Sequence, residues 1–387
     1  MDLLDADVLP AESRTIKRAA REFAREHIEP NAARYFREGA YPFDVVDVAA
    51  DAGFVGQGIA EAYGGRGTTL FEDLAILEEF YRADAGIGMA IQGRDFGAKL
   101  VEAFGDEAQR KRYLPPIPAG EAFSGAAISE PETGSDLAGM ETRAERDGDE
   151  WVLRGEKYWI GNGVDGDWVV VYARTDDGED PHENFSLLLV PTDAPGYEAA
   201  EIPAKMAMRA SQQAHVVLDD CRVPAENLLG EAGEGFRMLT EFFNEGRVRV
   251  AAQGLGLAAA AFEEAWAFVH DREEFGSRVS EFQSVQHDLA EMRCEFESAR
   301  ALTWRAAEKV VADVEDAGAW AAMAKVKGTE VAAECAQTAV KLHGGRGILD
   351  DGKVARVYRD VRAPMIYEGV NDVQRDLIYR NSTPPER

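Results

Sequence analysis

Cysteine is almost missing from this chain. Among 387 residues there are three, Cys221, Cys294 and Cys335. They are far apart and form no C-x-x-C, so neither a disulfide framework nor a thiolate metal site is expected, and the thiols are read as reduced and buried or semi-buried. Lysine is scarce too: ten of the 42 cations are Lys and no basic stripe forms, which argues against a nucleic-acid partner. No apolar run is long enough to span a bilayer, and Met1–Asp7 is acidic where a signal peptide is basic. A cytoplasmic protein without membrane attachment is expected. The six histidines show no H-x-x-x-H or H-E-x-x-H spacing, so no metal is expected. A G-x-S-x-G elbow and a complete P-loop are missing. Gly254-Leu255-Gly256 lacks the third Gly of a dinucleotide fingerprint and lies in a helical run, which disfavours Rossmann-type nicotinamide binding.

What the chain has in excess is acid. Seventy-one Asp and Glu against 42 Lys and Arg leave a net charge of −29. Self-repulsion of that size is relieved when salt shortens the Debye length to about 3 Å at 1 M. The acids are spread along the whole chain instead of forming blocks, so the pattern reads as adaptation to a salt-rich cytoplasm, as in a halophile, and not as a surface for one basic partner.

The length predicts two or three packed units. Residues 1–120 read as a helical domain, with apolar positions at helical spacing from Glu12 to Ile28 (ending before Pro30), from Phe43 to Ala52, from Phe71 to Tyr81 and from Arg110 to Leu114. Residues 121–235 change period: Glu150–Arg154, Trp168–Ala173, Phe185–Val190 and His215–Leu218 are short β-branched and aromatic runs between Gly, Asp and Pro turns, read as a small antiparallel sheet or barrel. Residues 236–387 return to helix in Phe236–Phe243, Arg247–Arg272, Ser284–Ala312 and Ala317–His343, four segments that predict a bundle. The small side chains of Gly254–Ala261 let helix axes approach closely. The fold class is therefore α+β, mainly α.

Three segments can carry chemistry. In Met365–Val370, Glu368 stands between Tyr367 and Gly369, about twenty residues after His343-Gly344-Gly345-Arg346-Gly347. A carboxylate next to a residue without Cβ can approach a ligand closely, and a glycine-rich turn can offer backbone N–H groups to a phosphate or ring edge. Taken alone, the glycine cluster reads first as a turn after a helix, with His343 as a helix-end hydrogen-bonder. The loop Ala127–Asp136 places Ser129, Thr133 and Ser135 around Gly134 and can bond a polar ring edge or form a surface turn. Tyr158-Trp159-Ile160-Gly161-Asn162-Gly163 can set an indole against a planar cofactor or bury a core Trp before a tight turn.

With these segments in order, the chain resembles the acyl-CoA dehydrogenase family from end to end. The hydroxyl-rich loop is similar to the family's first signature and Lys341 through Glu368 to Arg375 to its second. Tyr113-Leu114-Pro115, Gly120-Glu121, Arg272–Gly276 and Leu289–Met292 fall in the family's order between them. The resemblance implies an N-terminal helical domain, a middle antiparallel β-barrel and a C-terminal four-helix bundle. It implies a homotetramer (a dimer of dimers), one FAD per subunit, acyl-CoA as substrate and an electron-transferring flavoprotein as acceptor. By resemblance, Ile128, Ser129, Gly134 and Ser135 line the flavin, Ser135 also facing CoA, and Trp159 and Ile160 flank the isoalloxazine. Arg272, Phe275 and Gln283 bind the ADP half together with Lys341, Gly344 and Gly345 of a partner subunit. Asn244 and Arg247 line the substrate channel, Tyr367 and Gly369 flank the thioester, and Glu368 is the base.

The chemistry implied is α,β-dehydrogenation to trans-2-enoyl-CoA. Glu368 removes the weakly acidic α-proton while the β-hydrogen leaves as hydride to the flavin. Several positions depart from the family pattern. Gly161 stands where a Thr or Ser hydroxyl usually meets the flavin, Val370 and Asp372 where Thr and Gln are frequent, Thr133 where a smaller residue is usual, and Lys341 where Gln or an acid is usual. Gly246 lies where some members carry their base instead. The Arg that glutaryl-CoA members use is replaced near Ile87-Gly88, Gln92 and Arg94 are placed near the far end of the acyl pocket, and Arg94 is read chiefly as a surface ion pair. Other readings on the same fold are an alkylation-response flavoprotein without dehydrogenase activity, a glutaryl-CoA dehydrogenase, a reduced-flavin monooxygenase and an oxidase. Glu368 opposes the first and third, and the absence of a basic C-terminal extension also opposes the first.

Overall fold

The computed structural model describes residues 11–382; Met1–Asp7 and the closing Thr383–Arg387, both used in the sequence reading, lie outside the described residues. The chain opens with helix α1 (Ala11–Phe23), passes through a π-helical turn at Ala24–Ile28 and continues as α2 (Glu29–Glu38). The expected stop before Pro30 is not there. Pro30 sits in the first turn of α2, where its missing N–H falls beside the wide turn and breaks no regular ladder. Helices α3 (Phe43–Asp51), α4 (Leu70–Ala83), α5 (Ala85–Gln92), α6 (Phe96–Phe104) and α7 (Glu107–Tyr113) follow. Short α5 and α6 escaped the periodicity reading. A capping box starts α4, with Thr69 Oγ1 accepting from Glu72 N and the Glu72 carboxylate accepting from Thr69 N. Asp84 then breaks the helix in an extended conformation and caps α5 through Ile87 N at 3.0 Å.

Eight strands follow: β1 (Ser124–Ala127), β2 (Arg143–Asp147), β3 (Glu150–Ile160), β4 (Trp168–Arg174), β5 (Phe185–Pro191), β6 (Tyr197–Glu201), β7 (Ala214–Pro224) and β8 (Leu228–Leu229). They form one sheet in the order β6-β7-β3-β2-β4-β5-β8, with β1 added on β4. The expected antiparallel barrel is corrected in two respects. β1 runs parallel to β4, as does β2 at Arg143–Arg174, and among the described residues no pairing closes β6 onto β8. The hairpin β2–β3 lies between β1 and β4 in sequence, a connection long enough for parallel pairing. β4 reads as a continuous apolar run because both its faces are covered. Trp168, Val170 and Tyr172 join the helical core, while Val169, Val171 and Ala173 fill a second core formed by the sheet.

One spacing passed over in the sequence is Gly161-Asn162-Gly163-Val164-Asp165-Gly166, which matches G-x-G-x-x-G. It forms the turn between β3 and β4, with no helix after it to receive a pyrophosphate.

The remaining helices are α8 (Gly235–Asp271), α9 (Gln283–Val311), α10 (Ala317–His343), α11 (Lys353–Asp360) and α12 (Asn371–Ser382), with a two-strand hairpin β9 (Glu273–Glu274) and β10 (Ser277–Arg278) between α8 and α9. The bundle thus has three long helices and not four. The two segments expected around Asn244–Gly246 are one 37-residue helix, and short α12 packs on α10 as the fourth member. Gly246 does not break α8, although a mid-helix Gly costs about 1 kcal/mol against Ala. Farther along, a Cβ on Gly254 would meet Gly328 O at 2.6 Å and one on Gly328 would meet Ala251 O at 2.9 Å. Backbone-to-backbone approach of α8 and α10 thus depends on both glycines. Cys221 and Cys335 are buried, and their thiols are pushed up to about 11 and about 12 by burial; Cys294, expected at least half-buried, is exposed. Among the described residues no helix is long and apolar enough to cross a membrane.

Candidate active site

Between α11 and α12 the chain makes a tight loop, Val361–Val370, over the middle of α8 and α10. Glu368 and Gly369 are consecutive left-handed residues, at φ 53° and 87°. That conformation costs a non-glycine residue about 1–3 kcal/mol and persists only where the surroundings impose it. Here they do. Gln374 Nε2, from the first turn of α12, donates to Gly369 O at 3.2 Å, and Tyr367 Oη donates to Gln253 Oε1 on α8 at 2.7 Å. The loop aims the Glu368 carboxylate at α8, where a Cβ built on Gly246 would collide with Oε2. Oε2 is shielded from solvent and has no hydrogen-bond partner among the described residues.

An unpartnered, buried carboxylate oxygen is costly, and burial raises the Glu368 carboxyl above its usual value; Arg249, Lys325, Arg247 and Lys99 pull it back. Arg247 Nη1 donates to Asn244 Oδ1 at 3.0 Å, so the two residues assigned to the substrate channel flank Gly246 on α8. Burial pushes the Arg247 guanidinium down, opposed by Glu368. Arg249 is tied to buried Asp73 of α4 (Nε to Oδ2, 2.6 Å), and Gln57 Nε2 donates to Asp73 Oδ1 at 2.9 Å and to Gln92 Oε1 at 3.2 Å. The phenols of Tyr81 and Tyr367 face each other and are both raised, chiefly by burial.

The residues assigned to the flavin lie on two other segments. Ser129 O accepts from Tyr158 N at 2.8 Å, joining the hydroxyl-rich loop to the end of β3. Lys157, buried in β3, donates to Ile128 O at 2.8 Å and to Glu130 Oε1 at 2.9 Å. Gly134 and Ser135 are exposed. Trp159 is no core residue: it is 56% exposed at φ 65°. Ile160 is buried in the sheet's own core, so only its backbone is available to a ligand. Gly161 leaves open space, the nearest atom to a Cβ there being Gln213 Nε2 at 3.8 Å.

Arg272, Phe275 and Gln283 cluster around the hairpin after α8. Arg272 pairs with Glu274, and Phe275 is 96% exposed at φ 53°. Lys341 pairs with Asp288 at 2.8 Å, His343 Nδ1 lies 2.8 Å from Ala339 O, and a Cβ on Gly344 or Gly345 would meet nothing within 4 Å. Val370 precedes α12. Asp372 lies in its first turn, exposed and paired with Arg375 at 3.0 Å. Arg94, read as a surface ion pair, does pair with exposed Asp47 (Nη1 to Oδ1, 3.4 Å), but its own side chain is buried. Its guanidinium lies 3.3 Å from the Phe123 ring centroid, and Nη2 donates to Gly120 O at 2.9 Å.

The chain therefore gathers Glu368, Tyr367, Gly369, Asn244 and Arg247 into one site, and Ile128, Ser129 and the Tyr158–Gly161 segment into another. Sequence reasoning passed over the buried Lys157 and Lys325 and the Asp73–Arg249 pair. One signal was available: Lys325 directly follows the alanine-rich run Ala319–Ala324, where small side chains mark a packed helix face.

Three family models match in order along the chain: the acyl-CoA dehydrogenase N-terminal domain over residues 10–121, the middle domain over 125–221 and the C-terminal domain over 233–383. The mitochondrial short-chain specific acyl-CoA dehydrogenase of Mus musculus is 34% identical over 372 residues, covering 96% of this chain and 90% of the relative. Among solved structures, butyryl-CoA dehydrogenase from Megasphaera elsdenii superimposes with a TM-score of 0.92 at 30% identity, covering 98% of this chain and 99% of that one. A glutaryl-CoA dehydrogenase from Mycobacterium smegmatis in complex with FADH2 gives 0.92 at 30% identity, covering 98% and 97%.

Proposed function

Since this chain belongs to the acyl-CoA dehydrogenase family, we propose that it oxidises the acyl group of a monocarboxylic acyl-CoA to the trans-2-enoyl thioester, with Glu368 as the base. The observation that carries this reading is the buried, unpartnered Oε2 of Glu368, held on a left-handed residue against Gly246. A carboxylate so placed is desolvated and hence more basic than usual, as the removal of a carbon-bound proton requires.

FAD is the cofactor of this family, and the residues present fit it. Trp159 and Phe275 are large aromatics held out in solvent on left-handed backbone, an arrangement that costs energy and gains nothing without a flat partner to cover the rings. The open space at Gly161, Gly344 and Gly345 allows close backbone approach. Ile128, Ser129, Gly134 and Ser135 with Trp159–Gly161 would hold the flavin, with Val370 and Asp372 beside it. Arg272, Phe275 and Gln283 would hold the ADP half with Lys341, Gly344 and Gly345 of a second copy in a homotetramer. Bound FAD supplies the acceptor for the hydride that leaves the β-carbon. The chain's own part is to receive the α-proton on Glu368, to offer the Glu368 backbone N–H to the thioester oxygen as negative charge develops there, and to position the thioester through Arg247, Asn244 and Tyr367. Electrons then pass to an electron-transferring flavoprotein.

A dicarboxylic acyl group is disfavoured at Ile87-Gly88. A Cβ on Gly88 would lie 3.1 Å from the Tyr81 ring, leaving no room for a long cation without moving that ring. The test is anaerobic bleaching of the yellow holoenzyme by C4 to C16, isobutyryl, isovaleryl and glutaryl thioesters, for the native protein and Glu368→Gln. General-base assistance is worth about 10²–10⁴-fold; the Gln variant should keep FAD and lose bleaching by at least that factor, and retained bleaching would place the base elsewhere.

A further inference from the structure

Lys325 lies on α10 and is fully buried. Its own helix surrounds it with Ala321, Ala322, Ala324, Gly328 and Thr329, so it keeps a charge where methionine would fill the same space without one. The ammonium is directed at the loop that carries Glu368: Nζ donates to Gly369 O at 2.8 Å and to Asn371 Oδ1 at 2.9 Å. Asn371 Nδ2 donates onward to Thr329 Oγ1 at 3.1 Å, and Gln374 shares Gly369 O. We propose that Lys325 is a positioning residue for the base, fixing the Glu368–Gly369 turn by its bond to Gly369 O and supplying buried positive charge to the Glu368 carboxylate.

Two independent features support it. First, the turn is the strained part of the site, with Glu368 at φ 53° and Gly369 at φ 87°. A charge-assisted bond to the carbonyl between that turn and α12 is the kind of contact that keeps such a conformation. Second, the groups facing one another are few. Glu368 is met by Arg247 and Arg249 from α8, Lys325 from α10, Lys99 from α6 and the phenols of Tyr81 on α4 and Tyr367 on its own loop; Lys325 is met by Glu368, Arg247 and Glu330. Burial pushes the ammonium down to about 8 while Glu368 raises it. Arg249 is already paired with the buried Asp73 carboxylate, whereas among the described residues Arg247 and Lys325 both bond only neutral oxygens; of these two, Lys325 is the one that also holds the turn, through Gly369 O.

The inference rests on the reading that Glu368 is the base, and its test separates the two. In the FAD-loaded protein, the protonated-carboxyl infrared band of Glu368, assigned by its loss in Glu368→Gln, gives the titration midpoint without turnover. Lys325→Met removes charge and donor; Lys325→Gln keeps a donor without the charge. Both should raise the midpoint by about one unit or more. Lys325→Met should also slow anaerobic flavin reduction by butyryl-CoA about 10²-fold at pH 7, and Lys325→Gln should recover part of that rate above the raised midpoint. An unmoved midpoint in either folded variant overturns the proposal, and should Lys325→Met not fold, Lys325→Gln carries the same comparison. Bleaching retained in Glu368→Gln would instead remove the base assignment, while the infrared midpoints still decide whether Lys325 acts on that carboxyl.

Discussion

The carboxylate of Glu368 fills the space that Gly246 leaves by lacking a Cβ. One position thus makes room for the other: an acidic side chain on the α11–α12 loop reaches the helix because the helix has nothing there to meet it. The glycine is otherwise a liability in the interior of α8, worth about 1 kcal/mol of helix stability relative to Ala.

Gly246→Ala tests this directly. The substitution should leave α8 intact and raise its intrinsic stability, yet push Oε2 away from its place. A misplacement of about 1 Å costs on the order of 10²-fold in rate, so flavin reduction by acyl-CoA should fall by roughly that factor while FAD content is unchanged. Native rates in a folded Gly246→Ala protein would mean that the carboxylate works from somewhere other than this notch.

Much of the site was legible because its signals are local. Glu368 between Tyr367 and Gly369, the hydroxyl-rich loop and the Trp159 segment are each read within ten residues, and β4 and β5 announce themselves as apolar runs. What stayed hidden depends on distant partners. Lys157 and Lys325 look like surface cations until the fold buries them against Ile128 O and Gly369 O. Arg94 looks like one until Phe123 and Gly120 close over it. The continuity of α8 through Gly246 and of α1 into α2 past Pro30 was missed for the same reason: both residues break helices by propensity, and tertiary packing overrides propensity.

Gly161 offers a gain-of-contact test. No positive φ is required there and the nearest neighbour to a Cβ is 3.8 Å away, so Gly161→Ser should fold with stability within about 0.5 kcal/mol of the native protein or slightly above it. With the hydroxyl set toward the flavin, the absorption maxima and reduction potential of bound FAD should shift. Unchanged spectra and potential would place Gly161 away from the ring system.

A buried acid pair predicts how stability varies with pH. Asp360 accepts from Met208 N at 2.6 Å, and its carboxyl is pushed up to about 8, chiefly by burial and then by the charge of Asp84, whose own carboxyl is also raised. A raised carboxyl holds its proton in the folded state over a range where the unfolded chain has lost it. Stability from this group is therefore full below the ordinary carboxylate value near 4 and lost as pH rises toward 8. Asp360→Asn keeps an oxygen for Met208 N and removes the titration. Denaturant unfolding in molar KCl should show the native protein losing stability from pH 5 to pH 8 and the variant losing distinctly less; equal slopes would mean that Asp360 is ionised in the fold.

The surface charge sets the last expectation. CoA carries several negative charges, and the chain carries a net −29, so at low ionic strength long-range repulsion opposes their encounter. Many exposed cations are moreover engaged with local acids, among them Arg143 with Asp177, Arg222 with Asp147 and Glu150, and Arg237 with Glu241. Raising salt from 0.1 M to 1 M shortens the Debye length from about 10 Å to about 3 Å, which removes the repulsion at range while leaving the buried contacts around Glu368 nearly unscreened. The KM for acyl-CoA should therefore fall as KCl rises to molar levels, with the limiting rate of flavin reduction changing much less. The measurement must be made on protein shown to be folded at both salt concentrations, because self-repulsion also loosens the fold. A KM that is flat or rises with salt under those conditions would show that a local positive surface, and not the net charge, governs the approach of CoA.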